Sequence, residues 1–299
     1  MTMVMTRRGF SALVGVLAAG GALARPGVVL AGAKADKDLG SALAALEKRI
    51  DARLGVAVLD TATGRSWGHR TDERFPMCST FKALLCGAVL ARVDEGKERL
   101  DRRVRYTAGD LVTYSPTTKE RVGTGMTMAE ICEAAMTLSD NTAANLILDS
   151  LGGPAALTAF VRTLGDSVTR LDRRETELNT AIPGDPRDTT TPAAMAGNLQ
   201  VLAVGNRLSA VSRDQFNVWM VATKTGDARL RAGLPKDWRV GDKTGTGDYG
   251  TANDVAVIWP PGRKPLVVSV YVTQTKASLD DRNAVIAEVG RLVRGVVEA

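Results

Sequence analysis

Asp254-Val255-Ala256-Val257-Ile258-Trp259, followed a few residues later by Leu266-Val267-Val268-Ser269-Val270-Tyr271-Val272-Thr273, decides the fold. Both are nearly continuous apolar runs of strand length, and Arg239-Val240 reads as another strand just before them. From Asp281 the spacing changes to that of a helix, with Val285, Val289, Leu292 and Val296 on one face. The other end of the chain has the same character. Leu39, Leu43, Leu46 and Ile50 recur at helical spacing between Asp38 and Ala52, and Leu54 to Leu59 then reads as a strand. The middle is helical: Thr80 to Ala91, Met128 to Leu138, and Thr142 to Leu151, the last stopped by Gly152-Gly153-Pro154. The two ends therefore join into one α/β layer into which a helical domain is inserted, and a cleft between two such domains is a natural place for a site. No internal repeat and no low-complexity linker interrupts the chain.

The chain of 299 residues, 44% of them apolar, is long enough for one large domain or two modest ones around a real core. Its formal charge of +6 is spread among acidic residues, with no basic run interleaved with aromatics, which argues against nucleic-acid binding. The single histidine, His69, disfavours a Ser-His-Asp triad or a histidine metal cluster, and Gly68-His69-Arg70 reads as a surface turn. Residues 1–33 read as an export signal: Arg7 and Arg8 precede an apolar run from Phe10, and small-residue cleavage sites follow at Ala31-Gly32-Ala33 or Ala33-Lys34-Ala35. Paired arginines before Gly9-Phe10 favour the twin-arginine route over a general secretory signal, and the run is short for a membrane anchor. Removing the segment takes away Arg7, Arg8 and Arg25, leaving 36 basic residues against 33 acidic, a net +3. Three cysteines in an exported chain allow one disulfide and one thiol, or three buried thiols; Cys86 and Cys132 lie in apolar helical patterns, whereas Cys78 abuts Ser79.

Four local patterns carry chemistry. Ser79-Thr80-Phe81-Lys82 places a hydroxyl and an amine one helical turn apart, so a partly desolvated lysine can serve as base to a serine nucleophile. Alone, such a match is expected by chance roughly once in a chain this long, and it reads equally as a helix cap followed by a solvated lysine. Ser139-Asp140-Asn141 stands at a break between helices, where a capping role serves as well. Lys243-Thr244-Gly245-Thr246 offers a cation, two hydroxyls and a glycine that allows close backbone approach. The stretch from Arg173 to Asp188 holds too many breakers for a helix and too little alternation for a strand; Arg173 and Asp188 at its neck favour an ordered loop clamped by an ion pair.

Taken together, Ser-x-x-Lys, Ser-Asp-Asn and Lys-Thr-Gly in this order form the signature of class A β-lactamases and penicillin-binding proteins. The chain resembles a class A serine β-lactamase over nearly its whole length after the signal. The resemblance rests on Phe75 to Lys82 (FPMCSTFK), Ser139 to Asn145 (SDNTAAN), Leu171 to Asn179 (LDRRETELN), Ala181 to Pro192 (AIPGDPRDTTTP) and Lys243 to Gly250 (KTGTGDYG). It implies an α+β class, the β-lactamase/D,D-peptidase-like fold. In it an antiparallel sheet domain of residues 36–70 plus 221–299 carries an inserted all-α domain of residues 71–220, with an Ω-loop at 173–188. It also implies the roles: Ser79 the acylated nucleophile, Lys82 its partner in proton transfer, Ser139 the relay to the departing nitrogen, and Glu175 with Asn179 the holders of the hydrolytic water. Lys243, Thr244, Gly245 and Thr246 are implied as the floor for the substrate carboxylate, with Arg229 beside them. Tyr114 and Asn141 are implied at the cleft mouth and at the acylamide side chain, the backbone N–H groups of Ser79 and Thr246 as an oxyanion hole, and Cys86–Cys132 as a disulfide. The expected ligands are small β-lactams, with no metal or other cofactor, no nucleic acid and no stable membrane association. The resemblance further implies a monomer, periplasmic or secreted after cleavage, that confers β-lactam resistance.

Two relatives of that fold are weighed against this expectation. A D,D-peptidase shares the first three motifs but typically lacks Glu175 in its Glu-x-x-Leu-Asn setting, and a β-lactam sensor would keep a membrane segment and an effector part. Thr246 and Asp248 occur in members with broadened cephalosporin activity, and Thr246 with Arg229 in members acting on carbapenems. Gly247 departs from the latter, which carry a cysteine there.

Overall fold

The computed structural model describes residues 39–298; the export segment expected at 1–33 lies outside the described residues. In chain order, helix α1 (39–49) leads into strands β1 (Arg53–Asp60) and β2 (Ser66–His69). The short strand β3 (Phe75–Pro76), a 3₁₀ turn at Cys78–Thr80 and helix α2 (Phe81–Asp94) follow. The helical part continues through β4 (Arg103–Val104), β5 (Met126–Thr127), α3 (Met128–Thr137), α4 (Asn141–Leu151), α5 (Pro154–Thr163), β6 (Thr189–Thr190), α6 (Pro192–Leu199) and α7 (Ala210–Val221). The short α8 (Leu230–Gly233), strands β7 (Arg239–Gly247), β8 (Thr251–Trp259) and β9 (Leu266–Thr273), and helix α9 (Leu279–Glu298) complete it.

Five strands form one antiparallel sheet in the order β2-β1-β9-β8-β7, so the two ends of the chain meet at the β1–β9 pair, where Arg53 lies opposite Thr273. The α+β class is as expected. Strand alternation divides the apolar residues of the sheet between two cores. Val255, Val257, Val267 and Tyr271 join α2 and its helical neighbours on one face. Ala256, Ile258, Val268, Val270 and Val272 join Leu39, Leu43 and Leu46 of α1 and Val285, Ile286 and Val289 of α9 on the other. Each buried Leu or Val contributes on the order of 2 kcal/mol. Helix α2 has almost no exposed face between Phe81 and Ala91, which fits a helix enclosed by others.

Several elements differ from expectation in ways that bear on the site. Helix α2 begins one residue later than expected, and Ser79 rides on the 3₁₀ turn ahead of it with no side-chain cap at Thr80. The Lys243–Thr246 segment lies inside β7 and not after it. Asp140, not Ser139, caps α4: its buried carboxylate accepts from Ala143 N, Thr117 N and Thr118 N at 2.9–3.0 Å. His69 ends the edge strand β2, its Nε2 3.1 Å from Glu47 Oε2.

The Cys86–Cys132 disulfide expectation is corrected: Cys78, Cys86 and Cys132 are all buried thiols. Cys86 Sγ donates to the Cys132 carbonyl at 3.5 Å, and burial raises the Cys132 thiol well above its ordinary range.

Candidate active site

Where α2, α4, the 173–188 loop and β7 converge, Ser79, Tyr114, Ser139, Asn141, Asn179, Thr225, Arg229, Thr244, Gly245 and Thr246 line a cleft of about 350 Å³. Lys82, Glu175 and Lys243 lie buried at its floor. The backbone is strained there, with Cys78, Tyr114 and Ser139 in the left-handed region at φ 44°, 63° and 61°. Such conformations cost energy in non-glycine residues and persist only where packing imposes them.

At the centre Lys82 Nζ lies 2.9 Å from Ser79 Oγ, 2.9 Å from Glu175 Oε1, 2.6 Å from Asn141 Oδ1 and 2.8 Å from the Ser139 carbonyl. Ser79 Oγ also donates to Glu175 Oε1 at 3.1 Å. One hydroxyl therefore stands within reach of both an amine and a carboxylate. Burial lowers the Lys82 pKa and outweighs the pull of Glu175, so the neutral amine is more accessible than in an ordinary lysine. Glu175 is held at the far end by Asn179 Nδ2, which donates to Oε2 at 2.6 Å; the Asn179 Oδ1 atom is buried with no hydrogen-bond partner.

The second cation stands beside Ser139. Lys243 Nζ donates to Ser139 Oγ at 3.0 Å and to the Thr244 carbonyl at 2.8 Å. Burial, reinforced by the positive charge of Lys82, lowers its pKa to about 7. Arg229 lies against β7 at the cleft, where its guanidinium donates to Thr246 Oγ1 at 2.9 Å, to the Gly245 carbonyl at 2.8 Å and to Asn283 Oδ1 at 2.9 Å.

The 173–188 loop is held at its neck by one carboxylate. Asp188 accepts from Arg173 Nε at 2.6 Å and from the backbone N–H groups of Asp172 and Arg173 at 2.7 and 2.9 Å. The Glu175–Thr176 peptide is cis.

The structure thus brings the twelve residues named from the sequence for catalysis and binding into one cleft or its floor, whereas Cys86 and Cys132 lie apart in the helical core. Two residues given no role from the sequence join the site. Asn145 exchanges hydrogen bonds with the backbone of Glu175, donating to its carbonyl at 2.9 Å and accepting from its N–H at 3.0 Å. It sits four residues after Asn141 on one face of α4, a spacing that could have marked it. Thr225 shares a 2.6 Å hydrogen bond with Thr244, and nothing in its local sequence signals this. Among the described residues no three His, Cys, Asp or Glu side chains converge as a metal-binding group.

Comparison with known proteins agrees with this geometry. The family model described as "Beta-lactamase enzyme family" matches residues 38–297. β-Lactamase AST-1 of Nocardia asteroides is 55% identical over 250 residues, covering 84% of this chain and 81% of that protein. Among solved structures, an ancestral class A β-lactamase is 70% identical with a TM-score of 0.85, over 86% of this chain and 99% of that one. The putative class A β-lactamase PenP of Rhodopseudomonas palustris is 61% identical with a TM-score of 0.86, over 86% and 99%. The signature motifs, the single cleft that gathers them and matches spanning more than four-fifths of the sequence make this chain a member of the class A β-lactamases.

Proposed function

We propose that the enzyme opens the ring of penicillins, and of cephalosporins beside them, through an ester on Ser79 that water cleaves. The carrying observation is Glu175 Oε1 at 3.1 Å from Ser79 Oγ, on a loop separate from the Ser79–Lys82 pair. A nucleophile with one base can be acylated; a second, independently held base is what frees it.

In the first half, Ser79 Oγ attacks the lactam carbonyl carbon and its proton passes to the Lys82–Glu175 pair. The negative oxygen develops against the backbone N–H groups of Ser79 and Thr246. As the C–N bond breaks, Ser139 Oγ gives its proton to the ring nitrogen and is resupplied from Lys82 or Lys243, 3.3 and 3.0 Å away. Lys243, Thr244 and Thr246 receive the substrate carboxylate, with Arg229 beside them reinforcing the positive field. In the second half, Glu175 takes a proton from water while Asn179 Oδ1, a buried acceptor without a donor, orients it. The hydroxide adds to the ester carbonyl, and Ser79 leaves with a proton returned from the pair.

The Glu175–Asn179 arrangement supports this role over that of a D,D-peptidase. Export to the periplasm or medium and action as a monomer complete the reading. Among the described residues no single helix is long and apolar enough to cross a membrane. Intact-mass spectrometry tests the assignment. Glu175→Gln is expected to accumulate a penicilloyl adduct on Ser79, and Ser79→Ala to lose turnover with its fold intact. Normal turnover by Glu175→Gln would remove Glu175 as the deacylating base.

A further inference from the structure

Asn253 lies opposite Gly245 in the β7–β8 pair and is fully buried. Its side-chain amide spends both hydrogens on consecutive carbonyls of the turn that carries the nucleophile, Pro76 O at 2.9 Å and Met77 O at 3.0 Å. Its backbone carbonyl accepts from Arg229, and its Oδ1 atom is buried with no partner. Leaving an amide oxygen buried and unpaired is costly, on a residue that solvent does not reach. The orientation is therefore imposed by the two donations.

We propose that Asn253 is a positioning residue for the acylation step: it ties the turn bearing Ser79 to the strand bearing Thr246, so that the two backbone N–H groups of the oxyanion site face a common point. The N–H of Ser79 belongs to a 3₁₀ turn whose first residue, Cys78, is held at φ 44°. The N–H of Thr246 belongs to β7. These are different elements, and their relative placement is set by what bridges them. Met77 O also takes Thr80 N at 3.2 Å and Thr80 Oγ1 at 2.8 Å, bonds that tighten the turn on itself without anchoring it to the sheet. On the sheet side, the contact of Thr80 Oγ1 with Tyr271 OH is long, at 3.4 Å. Gly245 makes the bridge possible: a Cβ there would lie 2.8 Å from Met77 O, 3.3 Å from the Asn253 amide nitrogen and 3.3 Å from Cys78 Cβ. Gly245 is thus the gap through which strand and turn approach, and Asn253 is the clasp across it.

This inference rests on the acyl-enzyme reading above, and the test separates the two. The acyl-enzyme is formed in the Glu175→Gln background, with Asn253 intact or changed to Ala. Two quantities are read well below the melting temperature: the single-turnover acylation rate, and the infrared stretch of the ester carbonyl, which reports polarisation by the oxyanion N–H groups. Asn253→Ala is expected to slow acylation about 10- to 100-fold, the effect of misplacing a reacting group by a fraction of an ångström to one ångström. The carbonyl stretch is expected to move to higher frequency. Ser269→Ala is the control for lost stability alone. Ser269 Oγ donates to the Pro192 carbonyl at 2.6 Å, buried in neighbouring β9 and away from the turn, so its loss lowers the melting temperature and leaves both readouts in place. Should Asn253→Ala give no folded protein, Asn253→Ser, which keeps one short donor, is read by the same two measurements. An unchanged stretch and acylation rate in a folded Asn253 variant would overturn the positioning role. Absence of any adduct with Asn253 intact would instead overturn the acyl-enzyme reading.

Discussion

Lys243 shows most directly how burial sets chemistry at one residue. Its ammonium is shielded from water and faces Lys82, and its pKa falls to about 7. Below that pH the side chain is charged and attracts a carboxylate; above it the attraction fades. For the free enzyme kcat/KM is therefore expected to fall as pH rises through 7 to 8, and Lys243→Arg, which keeps its charge, to shift the fall to higher pH. A pH–rate profile of the two proteins checks this. The linkage to stability runs the other way. Between about 7 and the ordinary lysine value of 10.5, the unfolded chain binds a proton that the native protein does not, so this group alone makes native stability rise with pH. At this scale much of the site was legible. Ser79, Lys82 and Lys243 lie in the three motifs that together carry the resemblance, and the roles of Glu175 and Lys243 follow from that resemblance. Thr225 and Asn253 were not legible: Thr225 reaches Thr244 from the loop between α7 and α8, and Asn253 is placed by the β7–β8 register, and no local spacing records either.

At the scale of elements, the 173–188 loop is the part least able to hold itself. It is built of turns around the buried carboxylate of Asp188, whose own backbone stands at φ 56°. Asp188→Ala leaves the half-buried Arg173 guanidinium and two backbone N–H groups without their acceptor, a loss of about 3 kcal/mol confined largely to the loop. The expected result is faster amide exchange across 173–188 and slower deacylation, with a smaller change in acylation; hydrogen-exchange mass spectrometry and single-turnover kinetics read the two separately. The breakers of this segment and the charges at its neck were visible in the sequence. The start of α2 was read one residue early because Ser79 looks like a cap, yet the tertiary hold on residues 76–78 turns the backbone into a 3₁₀ turn first. The Cys86–Cys132 pairing differs for a related reason: sequence shows two cysteines in apolar helices but not that the Cys86 thiol turns to the Cys132 carbonyl.

Over the whole molecule, the fold depends on covering both faces of one sheet. The terminal helices cover one of them, and α8 meets α9 at an unusually close approach. A Cβ on Gly233 would lie 1.8 Å from the Ala287 carbonyl, and one on Gly290 2.7 Å from the Leu230 carbonyl. Gly233→Val is therefore expected to lift α9 from the sheet and lower stability by at least about 2 kcal/mol. Thermal melting checks this, and the folded fraction should keep its ratio of acylation to deacylation. The joining of both ends into one layer was legible from the strand runs at 54–59 and 254–273, since only a shared sheet buries both. That arrangement also imposes an order of events on biosynthesis. Arg53 finds its partner in Thr273, so the middle of the sheet cannot close until nearly the entire chain has left the ribosome. Until then the side of β1 away from β2 is an unpaired edge, and such edges recruit other chains. A nascent chain of this kind depends on being finished, or shielded by a chaperone, before it can become an enzyme.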